Sequence, residues 1–224
     1  METLAGAPGL YPAKGGAASR VADTLREQVL AGELQPGHRL AEEQVRADLG
    51  VARSTLREAF QLLIRERLLV HHLSRGVFVR ELTRQDVSDL YQVRRVVECG
   101  ALAEVETLRP EHLRRLSQAL TDGQAAAARE DWQAVAAASI HFHQALVGLA
   151  GSARLDTLVA QALGEFRLAY ARMDDTGAFH EAFLARNVEI ADHVRSGDIS
   201  GAGDLLRDYL RDSERALLAR YEAG

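Results

Sequence analysis

Cysteine, proline and aromatic residues are all scarce in this chain of 224 residues. The single cysteine, Cys99, cannot form an internal disulfide, and its isolation fits a reducing compartment. With 4 prolines, 5% aromatic residues and abundant alanine and leucine, the 47% of hydrophobic residues indicate a globular chain that favours helix over sheet. No apolar run approaches the roughly 20 residues of a membrane span, and the first residues lack the pattern of a signal peptide. We therefore expect a cytoplasmic protein without a membrane partner.

Short motifs of common enzyme classes are also missing. The sequence contains no phosphate-binding loop, no H-E-x-x-H motif, no nucleophile elbow and no cluster of cysteine and histidine. A helical bundle could enclose a hydrolase site, but no spacing of polar residues argues for one. The sequence therefore does not predict an enzyme.

Charge is distributed unevenly along the chain, although the net charge is only −5. Residues 19–80 contain 10 arginines and 8 acidic residues, a balance of +2, whereas residues 81–224 have a balance of −7. A mildly basic first part and an acidic second part suit a DNA-binding module attached to a domain that repels DNA.

The segment around Gly50 has the pattern of a helix-turn-helix. Amphipathic helices are predicted at about residues 41–49 and 52–66, and Gly50 can adopt the positive φ that a tight turn between them requires. On the second helix, two arginines four residues apart project from one face, two hydroxyl groups lie near the N-terminus, and apolar residues occupy the opposite face. A recognition helix has this layout, although an ordinary helical hairpin with a solvated basic face would share it. The polar residues are Arg53, Ser54, Thr55 and Arg57.

Two short β-strands are predicted after this pair of helices. Residues 68–72 and 77–80 are rich in β-forming side chains, and the loop between them contains Arg75 and Gly76. A tight loop of this kind is expected for a wing. Together with a further helix before the pair, these elements predict a winged helix-turn-helix over residues 19–80.

The remainder of the chain is predicted to be helical. Thr83 and Asp86 form a capping-box pattern at the start of the first of these helices, and Pro110 stands where the first turn of the next one tolerates proline. Six amphipathic helices without strands predict an all-α bundle over residues 84–221, whereas residues 1–18, rich in glycine, alanine and proline, predict a disordered arm. The six helices are expected at about residues 84–105, 110–122, 131–149, 152–173, 178–196 and 199–221. The predicted fold class is therefore mainly α, an N-terminal winged helix-turn-helix followed by a C-terminal six-helix all-α bundle.

Three motifs within residues 19–80 match the sequence pattern of a known protein family. They are Gly32-x-Leu34-x-Pro36-Gly37-x-Arg39-Leu40, Leu49-Gly50-Val51-x-Arg53-Ser54-Thr55-Leu56-Arg57 and Arg75-Gly76-x-Phe78-Val79. With them, this part of the chain resembles the DNA-binding domain of the GntR family of bacterial transcription regulators. The resemblance implies that the recognition helix, the preceding helix and the wing contact double-stranded operator DNA. The residues implied are Gln44, Arg53, Ser54, Thr55, Arg57, Arg75 and Gly76.

The chain departs from the family at the start of the recognition helix. The family usually has serine there as the N-cap, and this chain has Ala52. The loss of a capping side chain costs about 1 kcal/mol of helix stability, although the fold does not depend on it.

Motifs within residues 84–221 also match the sequence pattern of a known domain. They are Asp89-Leu90-Tyr91-x-Val93-Arg94-x-x-x-Glu98, Phe142-His143-x-x-Leu146 and Val194-x-Ser196-Gly197-Asp198. With them, residues 84–221 resemble the FCD ligand-sensing domain of the FadR-like branch of the same family. The resemblance implies a helical domain that binds an effector and forms a dimer.

Arg94 is the strongest candidate for binding that effector. It lies close to the apolar side of its helix, where a guanidinium group needs an anion because it cannot lose its charge. By the resemblance, Arg94 faces the effector pocket and binds a carboxylate through two parallel hydrogen bonds. The alternative is an ion pair with Glu98, one helical turn later, and the two arrangements could alternate with ligand binding.

The metal site that is usual in FCD domains is predicted to be absent. Such domains typically hold a divalent ion with an aspartate, a histidine four residues later and two further histidines, and the corresponding positions here are Ser139, His143, Asn187 and Tyr209. A serine hydroxyl and an amide are poor zinc ligands, and tyrosine must first lose a proton whose pKa is about 10. We therefore expect no metal cofactor, and a pocket in which Arg94 and His143 anchor an anionic effector with help from the other three residues.

These features together predict a sequence-specific DNA-binding transcription regulator, most simply a repressor, controlled by a small carboxylate effector. A single recognition helix reads too few base pairs for genomic specificity, so we expect a homodimer on a pseudo-palindromic site. Two alternatives stay open. One is an FCD sensor that retains an atypical metal site, and the other is a DNA-binding protein without ligand control, whose bundle would have a well-filled core.

Overall fold

The structure is a computed structural model that describes residues 16–30, 32–170 and 177–221. Over these ranges the chain forms nine α-helices and three short β-strands, and it divides into two compact units between Glu81 and Leu82. Most of the arm predicted for residues 1–18 lies outside the described residues, and the last two residues of that range already belong to the first helix.

The first unit contains the predicted three helices and hairpin. Its three strands are β1 (Arg39–Leu40), β2 (Leu69–His72) and β3 (Gly76–Val79). They form one antiparallel sheet in the order β1-β3-β2, in which Leu69 pairs with Val79 and Arg39 pairs with Phe78. The strand β1 was not predicted, because two residues are too few to show an alternating pattern. The helices are α1 (Ala17–Leu30), α2 (Glu42–Leu49) and α3 (Arg53–Arg65).

The turn between α2 and α3 has the predicted geometry. Gly50 is the C-cap of α2 with φ 62° and ψ 34°, a left-handed conformation that glycine adopts without strain. Ala52 is the N-cap of α3 with an extended backbone, and no side chain caps the helix there. The opposite face of α3 lies in the core, as predicted. Its buried residues are Leu56, Ala59, Phe60 and Leu63.

An ion pair joins the first helix to the end of α3. Arg26 on α1 is only 8% exposed, and its Nε and Nη2 atoms each lie 2.8 Å from a carboxylate oxygen of Glu66. Such a bidentate contact fixes both groups, and it therefore sets the position of α1 on the recognition helix.

The second unit is the predicted six-helix bundle. None of the described helices has the length and hydrophobicity required to cross a membrane. The helices are α4 (Arg84–Ala103), α5 (Pro110–Ala127), α6 (Trp132–Gly148), α7 (Ala153–Tyr170), α8 (Gly177–Ser196) and α9 (Ile199–Leu218), followed by a 3₁₀ turn at Ala219–Tyr221.

One helix end was predicted wrongly. A stop was expected at about Gly123, but α5 continues to Ala127. Gly123 is instead a packing residue, because a Cβ atom there would lie 3.0 Å from Leu184 of α8 and 3.4 Å from Ala138 of α6. The glycine therefore allows close approach of neighbouring helices rather than a turn.

The helix α4 brings polar residues into the middle of the bundle. It starts with the predicted capping box, in which the Thr83 hydroxyl accepts from the Asp86 amide at 3.1 Å and the Asp86 carboxylate accepts from the Thr83 amide at 2.9 Å. It packs against α6, α7 and α9. Arg94 and Glu98 lie on its buried side together with Tyr91.

Candidate functional site

The recognition helix presents two exposed arginines. The side chains of Arg53 and Arg57 are 68% and 60% exposed, and both contact the carboxylate of Glu42 on α2. The Nε atom of Arg53 lies 3.1 Å from Oε2 of Glu42, and the Nε atom of Arg57 lies 2.7 Å from Oε1. Ser54 is exposed beside them and Thr55 is half-buried. The polar face predicted for α3 is therefore accessible to a partner.

The other residues expected to contact DNA are also at the surface. Gln44 on α2 is exposed, and its amide donates a hydrogen bond to Asp48 over 2.7 Å. At the wing, Arg75 is exposed, with its guanidinium carbon 5.6 Å from the ring centroid of Phe78. Gly76 has φ 102°, a region that favours glycine.

A further arginine stands beside the wing. Arg39 on β1 is exposed, and a Cβ atom at Gly76 would lie 3.6 Å from its Nε atom. The pairing of β1 with β3 brings it there. The sequence motif contained Arg39 but did not indicate this position, because the short strand that places it was not recognisable.

A cluster of three buried polar residues lies inside the second unit. The Nε atom of Arg94 donates to Oε1 of Glu98 over 2.6 Å, and Oε2 of Glu98 lies 2.7 Å from Nδ1 of His143 on α6. The three residues are 2%, 0% and 1% exposed. The guanidinium of Arg94 also lies 5.3 Å and 4.9 Å from the ring centroids of Tyr91 and Phe166. The ion pair considered as an alternative for Arg94 is thus present, and Glu98 extends it to a second helix.

The charges of this cluster balance. Burial alone raises the pKa of Glu98, but the adjacent Arg94 and His143 bring that pKa below its usual value, so the carboxylate is ionised. Burial lowers the pKa of His143 and outweighs the attraction of Glu98, so the imidazole is neutral at pH 7. A neutral imidazole beside an ionised carboxylate donates its Nδ1 proton, which leaves Nε2 as an acceptor. The cluster therefore has no net charge.

Four residues were predicted to bind the effector together with Arg94, and the structure places these four close to one another. The Ser139 hydroxyl lies 3.5 Å from the Tyr209 hydroxyl and 3.5 Å from the Asn187 amide nitrogen. The ring centroids of His143 and Tyr209 are 4.9 Å apart. Side chains of α6, α8 and α9 thus converge beside the ion pair of Arg94 and Glu98 on α4.

Three atoms of this region have no hydrogen-bond partner among the described residues. They are Nη2 of Arg94, Nε2 of His143 and Oδ1 of Asn187, and all three are buried. Buried polar atoms in proteins are nearly always hydrogen-bonded. A donor and two acceptors without partners therefore suit a polar ligand or ordered water.

These residues do not fit the divalent metal that the domain type implies. Only His143 offers a usual ligand atom, and burial raises the pKa of Tyr209, so its phenol keeps its proton. Within the described ranges, no group of three histidine, cysteine, aspartate or glutamate side chains is arranged to hold a metal ion. We therefore derive no role that depends on a metal.

Two family profiles match the chain. The profile described as "Bacterial regulatory proteins, gntR family" matches residues 17–79, and the profile of the FCD domain matches residues 89–212. The chain belongs to the GntR family. This GntR protein is therefore a DNA-binding transcription regulator with an FCD domain, as its motifs indicated, and not an enzyme.

Relatives of this GntR protein span most of its length. It is 32% identical, over 84% of its chain and 79% of the relative, to a Streptomyces ambofaciens protein named "Uncharacterized HTH-type transcriptional regulator in unstable DNA locus". It is 28% identical, over 79% of its chain and 83% of the relative, to the "Probable D-xylose utilization operon transcriptional repressor" of Paenarthrobacter nicotinovorans. A crystal structure of a GntR regulator from Rhodococcus sp. RHA1 superimposes with a TM-score of 0.84 and 45% identity, covering 90% of this chain and 97% of that one.

Proposed function

We propose that this GntR regulator is a repressor that binds a pseudo-palindromic operator as a homodimer under the control of a small carboxylate effector. Repression is supported by the name of the Paenarthrobacter nicotinovorans relative. The observation that favours an anionic effector most directly is the buried Nη2 atom of Arg94, which has no hydrogen-bond partner among the described residues. Because the target is chromosomal DNA, the bacterial cytoplasm is the place where we expect it to act.

The exposed arginines of α3 support the proposed DNA-binding surface. We propose that Gln44, Arg75 and Gly76 contact DNA alongside the polar residues of α3. Replacing Arg57 by alanine removes a cation from the recognition helix, so operator affinity in a gel shift should fall and its salt dependence should weaken. Arg65 lies in the last turn of α3 and is also exposed, so Arg65→Ala is a matched control that should bind normally. Wild-type affinity for the Arg57 variant would show that another element reads the DNA.

An apolar strip on α4 supports the homodimer. Val93 and Val96 are 38% and 70% exposed and lie three residues apart, on a helix whose other sides pack against α6, α7 and α9. A twofold contact between copies would bury such side chains. Val96→Asp should therefore yield monomers in sedimentation velocity, whereas Leu73→Asp, the same kind of change at a wing residue that is 86% exposed, should not.

The effector would compete with Glu98 for Arg94. A carboxylate can gain a bidentate contact only if Arg94 loosens its bond to Glu98 or uses its Nη2 atom, which is unpaired within the described part of the chain. We propose that His143, Ser139, Asn187 and Tyr209 complete the contacts to the ligand. A hydroxyl group of the ligand could donate to Nε2 of His143 or Oδ1 of Asn187, neither of which has a partner among the described residues.

A thermal-shift screen with small carboxylic acids tests this proposal. A ligand that binds only the folded protein stabilises it by about 2.7 kcal/mol at a hundredfold excess over Kd, so a true effector should raise the melting temperature clearly. The shift should persist in EDTA and disappear in the double variant R94M/E98M, which removes both charges together.

A DNA-binding protein without ligand control is the second candidate. It is favoured by the ion pair itself, because Glu98 already neutralises Arg94 without a ligand. If a broad panel of carboxylic acids leaves the melting temperature of the wild type unchanged, this second candidate replaces the first.

A further inference from the structure

Glu42 contacts two of the proposed DNA-contacting arginines. It lies in the first turn of α2, and its side chain is 31% exposed. One carboxylate accepts from the Nε atoms of both Arg53 and Arg57, and Nη2 of Arg57 lies 3.4 Å from it as well. These arginines are one turn apart on α3, so a single side chain of α2 bridges a full turn of the recognition helix.

The bridge has two opposing effects on DNA binding. A negative charge near the phosphate backbone repels it, which weakens binding to any sequence. On the other hand, free arginine side chains lose conformational freedom when they bind, and a contact that already holds them reduces that loss. Since Arg57 and Arg53 lower the pKa of Glu42, the carboxylate stays ionised and both effects operate at neutral pH.

The atoms used by the bridge leave the arginines able to bind. Arg53 contacts Glu42 only through Nε, so Nη1 and Nη2 are left for DNA. Arg57 is held mainly through Nε, and its Nη1 atom makes no contact with the carboxylate. An oriented guanidinium is what bidentate recognition of a base edge requires, whereas a phosphate can be bound from many directions.

We propose that Glu42 is a positioning residue that fixes the direction of Arg53 and Arg57, so that it increases operator specificity while it decreases affinity for other DNA. This inference rests on the proposed contact of the two arginines with DNA. The neighbouring Glu43 has no such role, because its side chain is 92% exposed and pairs with Arg46 at 3.2 Å rather than with either arginine of α3.

The variants Glu42→Gln and Glu43→Gln separate positioning from simple repulsion. Both remove one negative charge from the first turn of the same helix, so they change the charge of the DNA-binding unit and the helix N-terminus equally. Binding of the full chain is measured by fluorescence anisotropy with two duplexes. One is the sequence that the wild type enriches from a random pool, and the other is its scrambled form.

The two variants should differ in the ratio of these affinities. Glu43→Gln should bind both duplexes equally or more tightly in parallel, with an unchanged ratio. Glu42→Gln should bind the scrambled duplex as Glu43→Gln does but bind the selected duplex more weakly. The ratio of the two affinities should therefore decrease by about five- to a hundredfold. In a background that lacks both arginines, Glu42→Gln should leave the ratio unchanged.

Other outcomes have distinct meanings. If Glu42→Gln strengthens binding to both duplexes as Glu43→Gln does, Glu42 only repels DNA and the inference is wrong. If Arg57→Ala does not weaken binding to either duplex, the proposed DNA surface itself is wrong. Thermal unfolding of each variant verifies that the fold is intact.

Discussion

Replacing Glu98 by glutamine should destabilise the second unit strongly. Glu98 is completely buried, and its two oxygens contact Arg94 at 2.6 Å and His143 at 2.7 Å. Glutamine has nearly the same shape and can still accept one hydrogen bond from Arg94. It has no charge, so the guanidinium would be left buried without a counter-ion.

The expected cost follows from that burial. Removing one partner of a buried ion pair costs about 3 to 5 kcal/mol, because the remaining charge is neither solvated nor paired. The hydrogen bond that glutamine retains places the expected loss near the lower end, about 3 kcal/mol. Since whole proteins are stable by only about 5 to 15 kcal/mol, this is a large fraction of the total.

Urea unfolding followed by tryptophan fluorescence measures this loss. The only tryptophan of the chain, Trp132, lies at the start of α6, so its signal reports on the second unit. The double variant R94M/E98M is the control, because replacing both charges with apolar side chains of similar length is often neutral or stabilising. A loss below about 1 kcal/mol in Glu98→Gln would refute the reasoning, since it would mean that Arg94 does not depend on Glu98 for neutralisation.

Three further predictions concern a helix cap, a histidine and the metal. Ala52→Ser should raise the unfolding free energy of the first unit by about 1 kcal/mol in a denaturant titration, because the extended backbone at this N-cap suits a capping hydroxyl; an unchanged stability would show that the helix end is satisfied by water. Burial lowers the pKa of His180 from 6.5 to about 4, so as the pH falls below 6.5 the unfolded chain takes up a proton before the folded one does. Between pH 7 and pH 5 the wild type should therefore lose about 2 kcal/mol more stability than His180→Phe, and equal pH profiles would contradict the assigned pKa. Elemental analysis of protein purified without added metal should find far less than one zinc, nickel or manganese ion per chain; a stoichiometric ion that disappears in His143→Ala would establish the atypical metal site instead.

The features predicted correctly from the sequence act over a few residues. Gly50 sets a turn, Thr83 and Asp86 cap a helix together, and Pro110 starts one, because each signal depends only on the local backbone. The wing and the six helices followed from hydrophobic periodicity in the same way. Local signals also caused the error at Gly123, since a glycine that breaks a helix and a glycine that lets two helices approach look the same in a sequence.

The contacts that were not predicted join distant parts of the chain. Glu42 reaches arginines 11 and 15 residues later, and Glu98 meets His143 after 45 residues. No periodicity links such positions, because the turn geometry and the packing of the bundle decide which side chains meet. The motif resemblance indicated Arg94 and the four residues around it, and the spacing along α4 left the ion pair with Glu98 open as an alternative. Neither indicated that the same carboxylate also contacts His143.

The carboxylate between the two recognition arginines also bears on how the regulator searches a chromosome. A genome offers about a million or more competing sequences for each operator, so a regulator spends most of its time bound elsewhere. An anion that shortens each of these unproductive stays leaves a larger share of the molecules free to move on. At a given number of copies per cell, Glu42 would then raise operator occupancy by reducing the time lost on the rest of the DNA.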